Sequence, residues 1–229
     1  MYALFTNYNE PFAMLTSHTW DKNKKLYANK FNYETFLRSD WTSNYDRVHQ
    51  LKDILIKRPD ISWIWYTDSD VIITNFNVSI ENKVSDTHHI LVSTDVNGIN
   101  CGSMLLRNSH QTVSFLDDLM DLESAAQDHW DKEQWAFSHL CGFPPTSDPS
   151  WPSGDQLIVS EKYQDVVQIV PQRYFNSYDY SLYPWISDTR DKLLQDGNWV
   201  KGDWALHWPG ISTERRLNLF LTIQQHIIV

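Results

Sequence analysis

Cysteine is scarce in this chain. Only Cys101 and Cys141 occur among 229 residues, and they do not form a Cys-x-x-Cys pair. This excludes a disulfide framework and a zinc ribbon, so we expect two buried thiols in a reducing compartment. Long apolar runs are also missing, because no stretch reaches the roughly 18 residues of a membrane-spanning helix. No basic segment precedes the first apolar residues, so we expect no signal peptide and a cytoplasmic location.

Positive charge is in short supply as well. The chain has 19 Lys and Arg against 29 Asp and Glu, a net charge of −10 and a pI near 5.2. Nucleic-acid binding requires basic patches, so this balance argues against it. Neutral polar partners, and anions bridged by a metal ion, remain open. Aromatic residues are abundant, with 11 Trp and 11 Tyr; they suit sugar rings, although core packing accounts for most of them.

Strand and helix patterns alternate along the chain. Strands are predicted at Tyr2–Thr6, Phe31–Arg38, Ser62–Thr67, Val71–Ile73, Ile90–Thr94, Cys101–Leu106, Val166–Val170 and Ala205–Trp208. Helices are predicted at Pro11–Asn29, Tyr45–Lys57, Thr112–Leu122, Glu133–Leu140, Asp155–Tyr163 and from Ser212 onwards. Such alternation is typical of an α/β fold around a mostly parallel sheet. We expect one domain over residues 1–229, with two lobes that meet near Asn97–Asn100.

The most informative motif is Asp68-Ser69-Asp70, which ends the apolar run Ile61–Thr67. An apolar run that stops at two carboxylates is typical of a buried strand that delivers acid to the rim of a sheet, where open α/β sheets bind ligands. Two acids one residue apart are costly to bury unless a cation neutralises them. The motif therefore predicts a divalent metal site serving a phosphate-bearing substrate.

Two chemistries compete for this motif, and a third possibility comes from the tryptophan content. In a glycosyltransferase the carboxylates hold a metal that bridges a nucleotide-sugar diphosphate. In a phosphatase Asp68 is the phosphorylated nucleophile. In a phosphatase of this kind the strand that carries the Asp-x-Asp motif is usually the first of the core domain, whereas here two predicted strands precede it. Such an enzyme also needs a further acidic pair, and the later pair Asp117-Asp118 lies in a predicted amphipathic helix. A non-catalytic sugar-binding module is the third candidate.

Each of three other motifs can be interpreted either as a structural feature or as a functional one. The segment Asn97–Asn108, with two glycines before an apolar strand, is either an ordinary turn or a close approach to a ligand by the Asn100 amide. Asp155, after Gly154, is either a helix N-cap or a carboxylate near a reacting carbon. His207, inside an apolar strand, is either a core residue or a third metal ligand beside the acid pair.

Taken together, these motifs resemble a known family. In chain order they are Asp68-x-Asp70, Asn100-Cys-Gly102-Ser-x-Leu-Leu-Arg107-Asn108, Asp155-Gln156 and His207-x-x-Gly210. Their order resembles that of the galactomannan galactosyltransferase, xyloglucan xylosyltransferase and yeast mannan-transferase group, over about Tyr45 to Gly210. The amino-terminal glycosyltransferase domain of a large algal (chlorella) virus protein is also similar. The resemblance implies a GT-A fold, which is Rossmann-like, with a mostly parallel central sheet flanked by helices and a smaller irregular acceptor-side lobe.

The resemblance also implies roles for individual residues. The metal, Mn²⁺ or Mg²⁺, would be held by Asp68, Asp70 and His207. The UDP-sugar would contact Thr6, Asn7, Tyr8, Arg47, Asp68, Ser69, Asn100 and Gly102, with Tyr8 able to stack on the uracil. The reacting centre would face Asp155 and Gln156, and Asp95 would hold a sugar hydroxyl.

The activity implied is transfer of a hexose or deoxyhexose from a UDP-sugar to a hydroxyl of a glycan or glycoprotein, with retention of the anomeric configuration. Residues 1–96 would form the nucleotide-binding half and residues 97–229 the acceptor and catalytic half. One departure concerns the leaving group. The family often has Cys and Lys after the late glycine, where this chain has Ile211-Ser212. Lys201, Arg215 or Arg216 would then replace the lysine that steadies the diphosphate.

Overall fold

Residues 1–143, 158–184 and 196–229 are described in the computed structural model of the chain, and nine strands lie within them. The strands are β1 (Tyr2–Asn7), β2 (Glu34–Arg38), β3 (Trp63–Thr67), β4 (Val71–Ile73), β5 (Ile90–Asp95), β6 (Gly98–Arg107), β7 (Val167–Val170), β8 (Ser177–Tyr178) and β9 (Ala205–His207). Each predicted strand is confirmed to within a few residues, and β8 is an addition.

The α-helices of the same ranges are α1 (Ala13–Thr19), α2 (Lys25–Phe31), α3 (Asp46–Lys57), α4 (His110–Asp121), α5 (Glu123–Ala126), α6 (Glu133–Leu140) and α7 (Thr213–Ile223). A π-helical turn, Trp20–Lys24, joins α1 to α2. In the described part of the chain, none of these helices has the length and apolar character needed to cross a bilayer.

The larger sheet has six strands in the order β2-β1-β3-β6-β5-β7. Strands β2, β1, β3, β5 and β7 run in one direction, and β6 runs antiparallel to both of its neighbours. All five residues of β3 are buried. A central strand covered on both faces reads as a continuous apolar run, which is the pattern of this segment. The α/β fold with a mostly parallel sheet is thereby confirmed.

A smaller sheet of three strands, in the order β4-β9-β8, follows the acid motif. Strand β4 pairs antiparallel with β9, and Val71 lies opposite His207. The Trp208 amide also donates to the Asp70 carbonyl at 3.4 Å. Because this register is fixed by backbone hydrogen bonds, it brings His207 to the end of β3 although 137 positions of sequence separate it from Asp70.

Two apolar clusters cover the two faces of the larger sheet. One includes Leu51 of α3 and Phe115 of α4, and the other includes Trp65 and Trp204. The rings of Trp65 and Trp204 stack with centroids 3.8 Å apart, and Trp65 Nε1 donates to Ser103 Oγ at 3.0 Å. Both indoles are at most 2% exposed, so they serve the core. These two tryptophans therefore give no support to a sugar-binding module.

Two segment predictions need correction. The predicted strand from Phe31 begins only at Glu34, because Phe31 ends α2 and Asn32 adopts the left-handed conformation (φ 56°) that terminates helices. The predicted helix Asp155–Tyr163 is wrong over residues 158–163, which form irregular chain and turns. There the buried Tyr163 ring packs edge-on to Phe115, 4.9 Å away, and this tertiary contact overrides helix propensity.

Both cysteines, Cys101 and Cys141, are buried free thiols, as expected. Burial raises the pKa of the Cys141 thiol to about 12. Burial also raises the pKa of the Cys101 thiol well above its usual range, so both thiols are uncharged packing groups at neutral pH.

Candidate metal and nucleotide site

The acid turn, residues 68–70, lies where β3 leaves the larger sheet and turns into β4. The Asp68 amide donates to the Gly102 carbonyl at 2.7 Å, and the Val71 amide donates back to the Asp68 carbonyl at 3.1 Å. Ser69 and Asp70 are buried, whereas the side chain of Asp68 is 25% exposed. The turn thus presents one carboxylate inwards and one towards the surface.

Three side chains meet here in a geometry suited to a metal ion. One ligand atom from each of Asp68, Asp70 and His207 lies within 4.8 Å of the others, and His207 Nε2 is 3.2 Å from Asp70 Oδ1. Adjacent ligands around an octahedral ion with bonds of 2.0–2.1 Å are about 3 Å apart. Carboxylate and imidazole donors suit Mn²⁺, and carboxylates suit Mg²⁺. The donor set therefore fits the divalent ion that the sequence predicts.

The hydrogen bonds of His207 fix which ring nitrogen faces this site. Asn176 Nδ2 donates to Ser93 Oγ and to Asn100 Oδ1, both at 3.0 Å. The Asn176 carbonyl oxygen therefore faces His207 Nδ1, 2.8 Å away. Since a carbonyl only accepts, Nδ1 carries a proton, and Nε2 is the ring nitrogen that faces Asp70. Outer partners of this kind commonly orient metal-binding histidines.

Asp95 lies at the far end of the same hydrogen-bond chain. Its Oδ2 accepts from Asn100 Nδ2 at 3.0 Å and from the Tyr178 hydroxyl at 2.7 Å, and its Oδ1 accepts from the Asn97 amide at 2.6 Å. Burial raises the pKa of the Asp95 carboxyl, and these hydrogen bonds act in the opposite direction. Both carboxylate oxygens of Asp95 therefore accept hydrogen bonds from within the protein. The predicted hydrogen bond between Asp95 and a sugar hydroxyl stays a prediction.

Arg47 pairs with the outer carboxylate. Its Nη1 lies 3.3 Å from Asp68 Oδ1 and donates to the Cys101 carbonyl at 3.1 Å, while its Nε lies 3.5 Å from Glu133 Oε1. The Tyr66 hydroxyl donates to the same Asp68 oxygen. Glu133 is 2% exposed, and burial raises the pKa of its carboxyl to about 7 although the Arg47 charge lowers it.

Arg216 pairs with the inner carboxylate. Its Nη2 lies 2.8 Å from Asp70 Oδ2, its Nε donates to the Trp208 carbonyl at 2.9 Å, and its guanidinium lies 5.4 Å from the centre of the Phe12 ring. Burial raises the pKa of the Asp70 carboxyl, but the charges of His207 and Arg216 outweigh it and hold that pKa well below its usual range. Lys201 and Arg215 are exposed, so of the three basic candidates Arg216 is the one at the acid turn.

Lys24 approaches the acid turn from beneath. The residue is 0% exposed, and its ammonium donates to the Asp68 carbonyl at 2.5 Å and to Thr6 Oγ1 at 3.1 Å. Burial lowers the pKa of this ammonium to about 7, while the carboxylates of Asp70 and Asp68 act in the opposite direction.

A cleft of about 160 Å³ opens over these groups. Its lining residues are Asn7, Phe12, Trp41, Asp68, Ser69, Asp70, His207, Pro209, Gly210 and Arg216. The rings of Phe12 and Trp41 lie 6.1 Å apart and form an aromatic wall. The predicted residues Thr6, Tyr8, Arg47, Asp95, Asn100 and Gly102 are not among the lining residues.

The buried hydroxyl of Thr6 donates to the Thr67 carbonyl at 2.8 Å, so it supports the acid turn from inside. Asp155 and Gln156 lie outside the described residues. Their contact with the reacting centre stays a prediction.

Gly102 allows the closest approach in the site. A Cβ at this position would lie 2.4 Å from His207 Cε1 and 3.0 Å from both Asn100 Oδ1 and Asp68 Oδ2. Real Cβ atoms essentially never come within 3.0 Å of another heavy atom. The glycine predicted from the Asn-Cys-Gly turn thus makes room for the candidate ligands themselves.

Several polar groups of the site escaped the sequence analysis. Lys24 lies in a polar helix with three other lysines nearby, and Asn176 lies in irregular chain between aromatic residues, so neither stands out. Arg216, by contrast, was one of three basic candidates, and its spacing of four residues from the apolar Phe220 favours one shared helix face.

The chain is similar in sequence and in fold to known glycosyltransferases. Over 218 residues it is 26% identical to an alpha-1,2-galactosyltransferase of Schizosaccharomyces pombe, covering 76% of this chain and 53% of that protein. The chain therefore spans about half the length of the curated relatives it matches first.

Two solved structures share the architecture. A glycosyltransferase involved in the glycosylation of the major capsid of PBCV-1 superposes with a TM-score of 0.66 at 14% identity, covering 97% of this chain and 100% of that one. The galactosyltransferase LgtC, in complex with donor and acceptor sugar analogs, gives a TM-score of 0.51 at 14% identity, covering 98% and 96%. These likenesses confirm the GT-A fold.

The family predicted from the order of the motifs is also confirmed. A model described as the galactosyl transferase GMA12/MNN10 family matches residues 3–90 and 81–216, which together span most of the sequence. The phosphatase alternative has no comparable support, since Asp117 and Asp118 lie on α4 in ion pairs with Lys52 and Lys162. The chain belongs to the galactosyl transferase GMA12/MNN10 family of glycosyltransferases.

Proposed function

We propose that this chain transfers a hexose or deoxyhexose from a UDP-sugar to a hydroxyl of a glycan, with the help of a divalent metal ion. The observation that carries the proposal is the meeting of Asp68, Asp70 and His207 at the end of β3, beside a cleft lined by Arg216. Ligand sites of open α/β sheets lie at the carboxyl ends of strands. Family membership supports the glycosyl-transfer chemistry.

In this proposal Asp68, Asp70 and His207 hold the ion. When bound, a divalent cation supplies Lewis-acid neutralisation of the charge that builds up on a leaving diphosphate. The chain prepares for it by orienting the three ligands: Gly102 leaves room for them, and the Asn176 carbonyl holds the imidazole through Nδ1 so that His207 Nε2 faces the site. Because the polar partners are already in place, little reorganisation is needed when the substrate binds.

Arg216 takes the role that a lysine usually has in the family, namely contact with the leaving diphosphate. It lines the cleft, it carries a permanent charge, and its guanidinium already lies beside the candidate metal ligand Asp70. A planar guanidinium can form two parallel hydrogen bonds to phosphate oxygens, which a lysine cannot. The aromatic wall of Phe12 and Trp41 is placed to pack against the nucleoside.

The acceptor side is assigned from the resemblance alone. We assign Asp155 and Gln156 to the reacting centre, with Asp155 stabilising an oxocarbenium-like sugar, and retention of the anomeric configuration. The anomer of the transferred sugar, determined by NMR on the first product formed, tests this assignment. A product of inverted configuration would remove it while leaving the metal site untouched.

The central experiment is a binding titration by calorimetry with UDP, GDP and CDP, each with Mn²⁺, with Mg²⁺ and with EDTA. We expect UDP to bind with either metal and to lose at least tenfold in affinity in EDTA. Asp70→Asn, which keeps the shape but removes the charge, should abolish metal-dependent UDP binding and transfer. Asp86→Asn, at an exposed turn, is the matched control and should behave as the wild type. Undiminished UDP binding by Asp70→Asn, or in EDTA, would contradict the proposal.

A phosphatase predicts a different outcome for the same protein. It would release inorganic phosphate from small phosphoesters and retain a beryllium fluoride adduct on Asp68. We expect neither. Glycan binding that is indifferent to nucleotide and metal would favour a sugar-binding module instead.

A further inference from the structure

The helix that precedes β2 contains an irregularity directly beneath the acid turn. At the end of the π-helical turn Trp20–Lys24, the Lys25 amide donates to the Trp20 carbonyl, five residues back. Such turns carry one residue more than an α-helical turn and occur frequently at functional sites. Thr19, Asn23 and Lys24 are polar residues of this segment, yet each is 0% exposed.

All three buried side chains bind the backbone of the segment that carries the acids. Lys24 Nζ donates to the Asp68 carbonyl at 2.5 Å, and Thr19 Oγ1 donates to the Ser69 carbonyl at 2.6 Å. Asn23 forms a two-way contact with Ile73 of β4: its Nδ2 donates to the Ile73 carbonyl and its Oδ1 accepts from the Ile73 amide, both at 2.9 Å. Consecutive peptide groups of the acid turn are thus held from one helix.

The extra residue of the π-helical turn explains how two of these contacts occur side by side. In an α-helix, residues five apart point about 140° away from each other. In a π-helical turn the backbone hydrogen bond spans five residues, so residues five apart face more nearly the same side. Thr19 and Lys24 are five apart, and they reach the adjacent carbonyls of Ser69 and Asp68. A regular helix would turn one of them away.

We propose that Thr19, Asn23 and Lys24 are positioning residues, which hold the acid turn in ligand geometry before the metal and the nucleotide bind. Fixing the carbonyls of residues 68 and 69 fixes the peptide planes between the two acids, and so fixes where both carboxylates point. Lys24 also donates to the Thr6 hydroxyl, so its amino group is held between two neutral oxygens. This inference rests on the proposed metal site. It assigns the support of that site to a helical segment whose residues do not line the cleft.

The experiment compares two pairs of variants. Thr19→Val removes the hydroxyl and keeps the shape, and Thr19→Ser keeps the hydroxyl. Lys24→Met removes the donor and keeps the length, and Lys25→Met, on the exposed neighbour, is its control. The first readout is the affinity for Mn²⁺ without nucleotide, by electron paramagnetic resonance. The second is hydrogen exchange of the amides of residues 68–73 in EDTA.

We expect Thr19→Val and Lys24→Met to bind Mn²⁺ about tenfold or more weakly, the usual loss when an outer partner of a metal site is removed. Exchange at residues 68–73 should accelerate in EDTA in the same two variants. Thr19→Ser and Lys25→Met should resemble the wild type. A core variant in the other apolar cluster, Phe115→Leu, should lose thermal stability and keep its Mn²⁺ affinity, which separates positioning from general destabilisation.

Wild-type Mn²⁺ affinity and exchange in folded Thr19→Val and Lys24→Met would overturn the inference and leave the proposed function standing. If Lys24→Met fails to fold, the comparison of Thr19→Val with Thr19→Ser decides by itself. A wild-type chain that takes up no Mn²⁺, with or without UDP, would overturn the proposed function and this inference with it.

Discussion

Arg216 and Asp70 form an ion pair of 2.8 Å inside the cleft, and the same carboxylate faces His207 on its other oxygen. One carboxylate thus serves two neighbours of different kinds. In the proposed function it binds the metal ion together with His207, and towards Arg216 it positions a permanent cation. A bound metal ion and the arginine would then share Asp70, and their positive charges would repel each other until an anion binds between them.

Arg216→Gln should separate these two roles. We expect UDP binding in the presence of Mn²⁺ to weaken about tenfold to a hundredfold, the loss of a charge-assisted hydrogen bond of roughly 1.5–3 kcal/mol. Uridine, which lacks the diphosphate, should bind as it does to the wild type. The affinity for Mn²⁺ alone should be unchanged or higher, since a competing cation has been removed.

Calorimetric titrations of the three ligands measure these effects, with Arg215→Gln as the exposed control on the same helix. Equal losses for uridine and UDP, or a weakened Mn²⁺ affinity, would mean that Arg216 only supports the fold. Loss restricted to UDP would identify it as the contact to the diphosphate.

Gly102→Ala is a test of the crowding around His207. The new methyl group would lie 2.4 Å from His207 Cε1, and the nearest atoms of Asn100 and Asp68 are 3.0 Å away. The imidazole must therefore rotate or shift. We expect Mn²⁺ affinity to fall by at least tenfold, at a cost in stability of about 1–3 kcal/mol, typical of overpacking.

Electron paramagnetic resonance of bound Mn²⁺ and a guanidinium unfolding curve measure the two effects separately. The stability loss alone would follow from any overpacked core position. If Gly102→Ala unfolds more easily but binds Mn²⁺ as tightly as the wild type, His207 is not a ligand.

The sequence predicts the acid turn and its histidine because their signals are local. An apolar run that ends in carboxylates indicates a buried strand end, and His207 lies in a second such run. Lys24 and Asn176 have no local signal, since their importance depends on contacts with Asp68 and with His207, 44 and 31 residues away. Successive residues of an α-helix are rotated by about 100° about its axis. Arg216 therefore points into the cleft, whereas its neighbour Arg215 points to solvent.

Tertiary contacts without a local sequence signal also explain why the helix predicted to end at Tyr163 was wrong over residues 158–163. Residues 158–163 have helical spacing of apolar residues, but Tyr163 packs against Phe115 in the core. Asp95 has the position of a sugar-binding acid at the end of a strand. Its sugar contact stays a prediction, and its hydrogen bonds to Asn100, Tyr178 and the Asn97 amide are visible only in the tertiary structure.

The buried carboxyl of Glu133 should make the free energy of unfolding depend on pH. Burial raises the pKa of its carboxyl from 4.5 to about 7, against the lowering effect of Arg47. Between these pH values the folded chain retains a proton that the unfolded chain has lost. The contribution of Glu133 to the free energy of unfolding is therefore full below pH 4.5, falls as the pH rises to about 7 and is level above it. Its size is about 3 kcal/mol for a shift of this extent.

Glu133→Gln cannot ionise and should lose this component. We expect its free energy of unfolding, from guanidinium titrations in EDTA, to change less between pH 5 and pH 8 than that of the wild type. The exposed substitution Glu161→Gln is the control and should keep the wild-type slope. Parallel pH profiles for the wild type and Glu133→Gln would show that the carboxylate is ionised in the folded chain throughout this range. Arg47 would then be shared between two charged partners, Glu133 and Asp68.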